Sequence, residues 1–513
     1  MAPTRIRRPG TYGRGSLRAM SSPRSVFVLG LVLAGASLAA QTAPADPRAA
    51  LKARAEGDTP LIADTFELCN RIGGRISGTT ALDRAVTWGV EKFKALGIDS
   101  VDTESFGVPF LWLPGTVELA ATAPVSFPIR GVAAPGTAST GQPVEAKVVD
   151  VGEGLAADWA KAGTTTSGAI ALVHSKEMKT FDDLFAEYMR AKPLLEAAAH
   201  AQVKGLLIQS TRPRGLLYQH PMVFARNPGT VPVALIAREH ADRLAWLADR
   251  TEVRVRMDVV NRIGPSFDAL NVVAEIKGKE KPEEIVVLGA HLDSWALGTG
   301  AEDNGVNAAL VIDVARAFHE LNLQPRRTVR FALFTGEEQG MWGSAGYVER
   351  HKAELDRHAG VVIFDVGSGR TNGFALSGRP ELRPGVARAL ALYPKMGPNA
   401  HTVEGFDGTD NFDFLLSGVP TYVADQDPAP YLPNYHAESD TPDKVNVKEA
   451  RRNAGLAASL VWALANSPGA IPRRQTRSEV DALLVKTKLV EQMQGFDQWD
   501  DWKAGRRGFP AER

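Results

Sequence analysis

The stretch EIVVLGAHLD, residues 284–293, decides the fold class of this chain. It begins with a near-continuous apolar run, which is typical of a strand buried on both faces of a sheet. Two further runs have this composition, TVRFALF at residues 328–334 and GVVIFDV at residues 360–366. A crossover helix between the first two runs is predicted by apolar residues at helical spacing, Leu310, Val314, Phe318 and Leu321. This alternation predicts an α/β fold with a mixed central sheet and helices on both faces.

Potential metal ligands follow these runs. His291 comes directly after the first run, and Glu337 and Glu338 come shortly after the second. Asp365 follows the apolar part of the third run. Because chemistry in such sheets gathers just beyond the carboxyl ends of the strands, we expect these side chains to lie close together. Charged groups next to buried strands are costly without partners, so a metal site is predicted here.

Two more candidate ligands occupy loops, Asp303 in GAEDNG and His436 in PYLPNYHAESDT. Imidazole and carboxylate together suit zinc, with cobalt and manganese as alternatives. Five ligands are too many for one such ion, so the sequence predicts two Zn²⁺ ions with a bridging carboxylate. Asp303 is the candidate for the bridge.

The adjacent residues Glu337 and Glu338 are predicted to have different roles. Neighbouring side chains in an extended segment point in different directions, so one can bind metal while the other acts as general base on a water molecule. Asp293, two residues after His291, is predicted to orient that imidazole.

The same residues carry a resemblance to a known family. The blocks concerned are GAHLDSWALGTGAEDNG, FTGEEQGMWGSAGY, IFDVGSG, GTDNFDFLLSGVP and NYHAESDT. As a set they resemble the zinc-dependent exopeptidases that include aminopeptidase Y and carboxypeptidase Q, with SWALGTGAED closer to the carboxypeptidase Q type. The resemblance implies that His291 and Asp365 hold one zinc, Glu338 and His436 hold the other, and Asp303 bridges them. It also implies that Glu337 is the general base, that Asp293 supports His291, and that the protein forms a homodimer.

Changes in composition and in the pattern of apolar residues divide the chain into segments. Residues 1–41 are predicted as a signal peptide and leader, 48–105 as an N-terminal helical part, and 106–265 as a smaller β-rich insert. Residues 266–470 form the predicted di-zinc catalytic domain, and 471–513 a helical tail with one amphipathic stretch. Within the insert, SGAIALVHS and AQVKGLLIQS resemble the protease-associated domain found in such peptidases.

Composition limits location and partners. Arginines precede an apolar run from Val26 to Ala40, the order of a secretory signal, which predicts export to the periplasm or outside the cell. An uncleaved anchor is the alternative. Lys+Arg and Asp+Glu both number 59, so neither nucleic acid nor a stable membrane partner is expected. Cys69 is the single cysteine and is predicted to be a small buried side chain.

Short peptides are therefore the predicted substrates of an exported di-zinc metallopeptidase, acting as an aminopeptidase, carboxypeptidase or dipeptidase. The alternatives are a metal-dependent N-acyl amino acid deacylase, a single-zinc acyltransferase resembling glutaminyl cyclase, and a non-catalytic binding module. His319, His351 and His358 lie in polar, helix-like stretches and are predicted to be solvated.

Overall fold

The computed structural model of the protein describes residues 46–224 and 226–510. The strands are β1 (Ser100–Val108), β2 (Leu111–Leu113), β3 (Val117–Ala123), β4 (Phe127–Pro128), β5 (Gly131–Ala133), β6 (Val144–Asp150), β7 (Ile170–Val173), β8 (Gly205–Gln209), β9 (Val233–Ile236), β10 (Arg254–Val259), β11 (Arg262–Gly264), β12 (Phe267–Ile276), β13 (Lys281–His291), β14 (Arg327–Phe334), β15 (His358–Ile363), β16 (Thr371–Ala375) and β17 (Thr421–Gln426).

The helices are α1 (Pro47–Ala55), α2 (Leu61–Glu67), α3 (Thr80–Ala95), α4 (Ala156–Ala162), α5 (Phe181–His200), α6 (Arg238–Ala248), α7 (Val306–Glu320), α8 (Trp342–Arg350), α9 (Arg383–Ala389), α10 (Phe412–Leu416), α11 (Val447–Asn466), α12 (Arg477–Lys486), α13 (Leu489–Gly495) and α14 (Trp499–Lys503).

The central sheet has the strand order β1-β12-β14-β13-β15-β17-β16. Strands β14, β13, β15 and β17 pair in parallel, so their carboxyl ends lie at one edge of the sheet. The pairings toward both outer edges are antiparallel. The prediction of a mixed sheet is therefore confirmed.

Side chains alternate between the two faces of β13, and both faces are covered. Val286 and Leu288 pack in one cluster with residues of α7 and α11, whereas Ile285 and Val287 pack in another with Val348 of α8. Burial on both faces explains why these strands read as continuous apolar runs. The apolar run at residues 360–366 is partly strand, because β15 ends at Ile363 and leaves Asp365 beyond it.

A second, eight-stranded sheet has the order β4-β3-β10-β6-β7-β8-β9-β5. All its strands come from the chain between β1 and β12, which are antiparallel neighbours in the central sheet with Val108 opposite Phe267. The chain thus leaves the central sheet after β1 and returns beside it. We call residues 109–266 the insertion. The limits 106–265 and 266–470, and the likeness to a protease-associated domain, stay predictions.

Two helical segments outside the central sheet supply walls of the site described below. In α5 the N-terminus is fixed by a capping box, in which the side chains of Thr180 and Asp183 each accept a hydrogen bond from the other's backbone N–H. The C-terminal tail contains α12, α13 and α14 where the sequence predicted one amphipathic stretch. These short helices bury Val480, Leu484 and Trp502 in a cluster with Phe412 of α10.

The predicted signal segment, residues 1–41, lies outside the described residues. Within the described part of the chain, none of the helices combines the length and the apolar content that a membrane span requires. Cys69 is buried, as predicted.

The prediction that three histidines are solvated is wrong for His358. It is the first residue of β15 and is buried, whereas His319 is exposed and His351 is partly buried. His358 Nδ1 lies 3.1 Å from the carbonyl oxygen of Glu354, and its Nε2 lies 3.1 Å from the Tyr347 hydroxyl. One ring nitrogen can therefore donate and the other accept, which is the pattern of a neutral imidazole.

Burial of His358 predicts a dependence of stability on pH. Desolvation lowers its pKa from 6.5 to about 4, so the unfolded chain binds this proton more tightly than the folded one. Stability is then fully present above pH 6.5 and falls as the pH drops toward 4. From pH 7 to pH 5, wild type is expected to lose on the order of 1–2 kcal/mol more than His358→Gln, measured by urea unfolding at each pH. A parallel pH dependence of the two proteins would contradict the assignment.

Candidate metal centre

The carboxyl edge of the parallel strands gathers four of the predicted site residues. His291 is the last residue of β13, and Asp365 follows β15 after one residue. Glu337 and Glu338 follow β14 after Thr335 and Gly336. Because these strands run parallel and are neighbours, their side chains converge beyond a single edge.

Asp303 reaches this edge from the segment that precedes α7. The carboxylate of Asp440 holds this segment by its backbone, because Oδ1 accepts from the N–H groups of Ala301 and Glu302 at 3.1 and 2.7 Å. Oδ2 of Asp440 accepts from the N–H of Asp303 itself at 3.1 Å. Asp440 therefore sets the direction in which the Asp303 side chain points.

Two groups of ligand atoms share Asp303. His291 Nε2 lies 3.2 Å from Asp303 Oδ1 and 2.9 Å from Asp365 Oδ1. His436 Nε2 lies 3.3 Å from Asp303 Oδ2 and 2.8 Å from Glu338 Oε2. Within each group the ligand atoms lie within 4.8 Å of one another. The two imidazoles face different oxygens of Asp303. This is the arrangement expected of a carboxylate that bridges two ions.

Both imidazoles are oriented so that Nε2 faces the carboxylates. His291 Nδ1 lies 3.1 Å from the carbonyl oxygen of Asp293, and His436 Nδ1 lies 3.0 Å from the carbonyl oxygen of Gln219. A carbonyl oxygen can only accept, so Nδ1 carries the proton and Nε2 is left free as a ligand. Gln219 belongs to the insertion, and its own N–H donates to the carbonyl of His436 at 3.0 Å.

The polar atoms of this cluster fit divalent cations. Glu338 Oε1 is buried and has no hydrogen-bond partner among the described residues. Burial raises the pKa of Glu338 to about 7. Burial would lower the pKa of His436, but the neighbouring carboxylates of Glu338 and Asp303 raise it to about 9. The raised pKa of Glu338 and the raised pKa of His436 both show that the cluster lacks positive charge. Divalent cations would supply that charge.

Glu337 lies beside the cluster and belongs to neither group of ligand atoms. Its Oε2 is 4.0 Å from His291 Nε2, and 11% of its side chain is exposed, toward the cavity described next. Burial, followed by repulsion from Asp365 and Glu338, raises its pKa well above the usual value of 4.5, although His291 opposes the shift.

Asp293 contacts the cluster differently from the expected pattern. Its carboxylate oxygen is 3.6 Å from His291 Nδ1, while the hydrogen bond to that ring comes from its backbone carbonyl. The carboxylate instead accepts from the backbone N–H groups of Glu337 and Glu338, at 3.4 and 3.3 Å. Asp293 thus contacts both Glu337, the candidate base, and Glu338, a candidate metal ligand, through the turn that carries them.

A cavity of about 720 Å³, including space open to solvent, lies over the cluster. Glu337, Glu338, Asp365 and His436 form part of its lining. The remaining wall is mainly aromatic and comes from three parts of the chain. The insertion contributes Tyr188 of α5 and Phe224, the C-terminal tail contributes Phe496, and the loop before His436 contributes Tyr431 and Tyr435. The Tyr435 ring stacks on the His436 imidazole with centroids 3.6 Å apart. Water and ligands can thus reach the cluster through a cavity with a mainly apolar wall.

Comparison with known proteins finds a family match. Residues 271–461 match the family model described as Peptidase family M28, a range that contains every residue of the two ligand groups. This part of the chain is thus similar to the peptidases of family M28. The prediction of an enzyme of the zinc metallopeptidase class is confirmed by this match and by the relatives that follow.

Relatives match the chain over most of its length. It is 29% identical over 388 residues to carboxypeptidase Q of Xenopus laevis, spanning 72% of this chain and 78% of the relative. The crystal structure of a Peptidase M28 precursor from Shewanella amazonensis superposes with a TM-score of 0.75 at 26% identity, covering 84% of this chain and 98% of that one. A zinc aminopeptidase from Bacillus subtilis shares the fold, with a TM-score of 0.63 and 21% identity over 80% of this chain and 95% of the other.

All the predicted site residues meet at one place, while two residues that support them were missed. Asp440 and Gln219 act on backbone or ring atoms of ligand candidates. The sequence does contain a hint of Asp440, because it follows His436 by four residues in HAESD. Nothing local marks Gln219, which lies 217 residues before His436.

Replacing Asp440 with Asn is expected to weaken metal binding. An amide offers one acceptor oxygen where the carboxylate offers two, so at least one N–H of the segment 301–303 loses its partner. We expect a loss of roughly 10- to 100-fold in zinc affinity, measured by competition with a chromogenic chelator. Asp443→Asn, an exposed acid on the same loop, is the matched control. Equal affinities of the two variants would show that Asp440 does not position Asp303.

Proposed function

We propose that this protein is an exported two-zinc exopeptidase that removes terminal residues from short peptides. The observation that carries the proposal is the pair of ligand groups sharing Asp303, with Glu337 beside them on the side of the cavity. His291, Asp303 and Asp365 would hold one ion, and Asp303, Glu338 and His436 the other.

The donor set favours zinc. Nitrogen from neutral imidazole and oxygen from carboxylate are its usual ligands outside thiolate sites, and the related Bacillus subtilis structure is of a zinc aminopeptidase. When bound, a pair of such ions supplies positive charge that polarises a scissile carbonyl and acidifies water. Cobalt or manganese would satisfy the same ligands.

The proton transfers fall to Glu337. Glu337 belongs to neither ligand group and lines the cavity, so its carboxylate can accept a proton from attacking water and pass it to the leaving amine. Asp293 holds the backbone of Glu337 and Glu338 together, which keeps base and ligand in a fixed relation. The aromatic wall limits access of bulk water to this proton.

The cavity favours short substrates. Side chains from α5 and the tail form part of its wall. Its size suits a dipeptide or the end of a longer chain rather than an internal loop of a folded protein. The insertion, which we propose is a protease-associated-like domain, narrows access through Tyr188 and Phe224. Relatives named for carboxypeptidase and aminopeptidase activity agree with action at chain ends. Export and a homodimer remain part of the proposal.

The test uses the chain without residues 1–41, loaded with zinc and assayed on dipeptides, N-acyl amino acids and an N-terminal glutaminyl peptide. About two zinc ions per chain with turnover of dipeptides would support the proposal. Turnover of N-acyl amino acids alone would identify a deacylase. One zinc per chain with cyclisation of the glutaminyl peptide would identify an acyltransferase instead.

A further inference from the structure

The cavity over the metal cluster contains a carboxylate that the proposed reaction does not use. Asp407 lines the cavity on the loop that precedes α10, and 1% of its surface is exposed. Its Oδ1 accepts from the N–H of Gly408 at 2.7 Å. Its Oδ2 is buried and has no hydrogen-bond partner in the described part of the chain. A buried carboxylate oxygen without a partner is costly, which points to a ligand that supplies one.

The charges around this cavity favour a cationic ligand. Among the described residues that line it, none is lysine or arginine, and the basic side chain present, His436, belongs to a proposed metal group. The buried guanidinium of Arg507 is directed to Asp413, with Nε 2.9 Å from Oδ1, and does not line the cavity. A substrate carboxylate would thus find no guanidinium or ammonium partner in the lining, whereas an ammonium group would find Asp407.

The rest of the wall suits an apolar group next to that ammonium. Phe181, Phe224, Phe406 and Phe496 line the same cavity as Asp407. Aromatic rings offer apolar surface for a side chain, and their faces attract a nearby cation. Asp407 also lines a neighbouring groove that contains Lys486 and Lys488, but neither lysine lines the cavity over the metal cluster.

We propose that Asp407 binds the free α-ammonium group of the substrate, so that the enzyme works from the amino end of peptides that begin with an apolar residue. The inference rests on the proposed peptidase function and selects among aminopeptidase, carboxypeptidase and dipeptidase action. The ammonium group donates to Oδ2 of Asp407, the apolar side chain lies against the aromatic wall, and the first peptide bond faces Glu337.

Three substrates test this directly on the zinc-loaded wild-type chain: Leu-Gly, N-acetyl-Leu-Gly and Leu-glycinamide. Acetylation removes the positive charge, so we expect kcat/KM to fall by at least roughly 100-fold, the loss that follows when a buried charged partner is left unpaired. Leu-glycinamide lacks the carboxylate and is expected to stay within about 3-fold of Leu-Gly, because none of the described residues that line the cavity offers that carboxylate a guanidinium or ammonium partner. Faster hydrolysis of the acetylated substrate than of the amide would overturn the inference and leave the proposed function standing. Hydrolysis of none of the three would overturn both.

Variants of the loop before α10 test whether Asp407 is the residue that recognises the ammonium group. Asp407→Asn keeps the shape of the side chain and removes its charge, and kcat/KM for Leu-Gly is expected to fall roughly 10- to 100-fold, chiefly through KM. Glu404→Gln removes a charge from the same loop at an exposed position outside the cavity, and is expected to match wild type. Asp407→Glu should recover part of the loss. Unchanged kcat/KM in Asp407→Asn, or loss of bound zinc from that variant, would overturn the assignment of Asp407.

Discussion

Replacing Glu337 with Gln is expected to lower kcat for dipeptide hydrolysis by about 10³-fold or more, within the range that a positioned acid–base group contributes, while zinc content stays unchanged. Gln has the shape of Glu but cannot accept a proton at Oε2. Glu337 is absent from both groups of ligand atoms, so its amide removes the base without removing a ligand. KM is expected to change little, because the lost interaction belongs to the transition state. Steady-state kinetics and elemental analysis of the same preparation measure both.

Glu349→Gln is the matched control, since it makes the same change at an exposed position on the neighbouring helix α8. Its kcat is expected to equal that of wild type. If Glu337→Gln kept more than about a tenth of the wild-type kcat, another group would have to carry the proton, because no 10²-fold contribution could then be assigned to Glu337. Loss of zinc in this variant would instead place Glu337 among the ligands.

Replacing Asp303 with Ala is expected to empty both metal positions. Asp303 contributes one oxygen to each group, so a single change removes a ligand from both. Activity should fall to background, and zinc content should drop from about two per chain to below one. The thermal midpoint should also fall and become insensitive to added zinc, because a ligand that binds the folded state stabilises it in proportion to its affinity. Calorimetry with and without zinc measures this.

Glu302→Gln provides the neighbouring control. Glu302 is buried next to Asp303, but its oxygens accept from the N–H and hydroxyl of Ser368 at 2.7 and 2.6 Å. Burial raises its pKa to about 7, so a neutral amide changes its charge less than at an ordinary glutamate. This variant is expected to retain zinc. An Asp303→Ala protein that still binds two ions would show that the groups do not depend on a shared carboxylate.

Much of the central sheet could be predicted from the sequence because its strands are buried on both faces. Apolar runs at residues 284–290 and 328–334 leave few alternatives, and both are strands. The candidate ligands were also accessible, since each follows a strand end or lies in a loop rich in turn residues. Local pattern could not show which backbone groups Asp440 and Gln219 hold, because those contacts depend on how distant loops meet.

His358 shows why polarity alone misleads. Its neighbours in the sequence are charged, which suggested a solvated helix, yet the chain turns into β15 at this residue. The imidazole is buried because Glu354 and Tyr347 satisfy both of its nitrogens. These hydrogen bonds depend on tertiary contacts with the preceding helical segments. The pattern of apolar and polar residues in the sequence does not reveal them.

The reciprocal hydrogen bonds between Gln219 and His436 limit how freely the insertion could be exchanged between relatives. In a chimaera carrying another protein's insertion, the His436 tautomer would stay fixed only where the new backbone places a carbonyl at the position of Gln219, although the two residues stand 217 positions apart. Recombination at the borders of the insertion can therefore change metal occupancy as well as substrate entry. The two loops are coupled through their backbone conformations, so a change of path in the loop around Gln219 has to be matched by the loop around His436, whatever side chain stands at position 219.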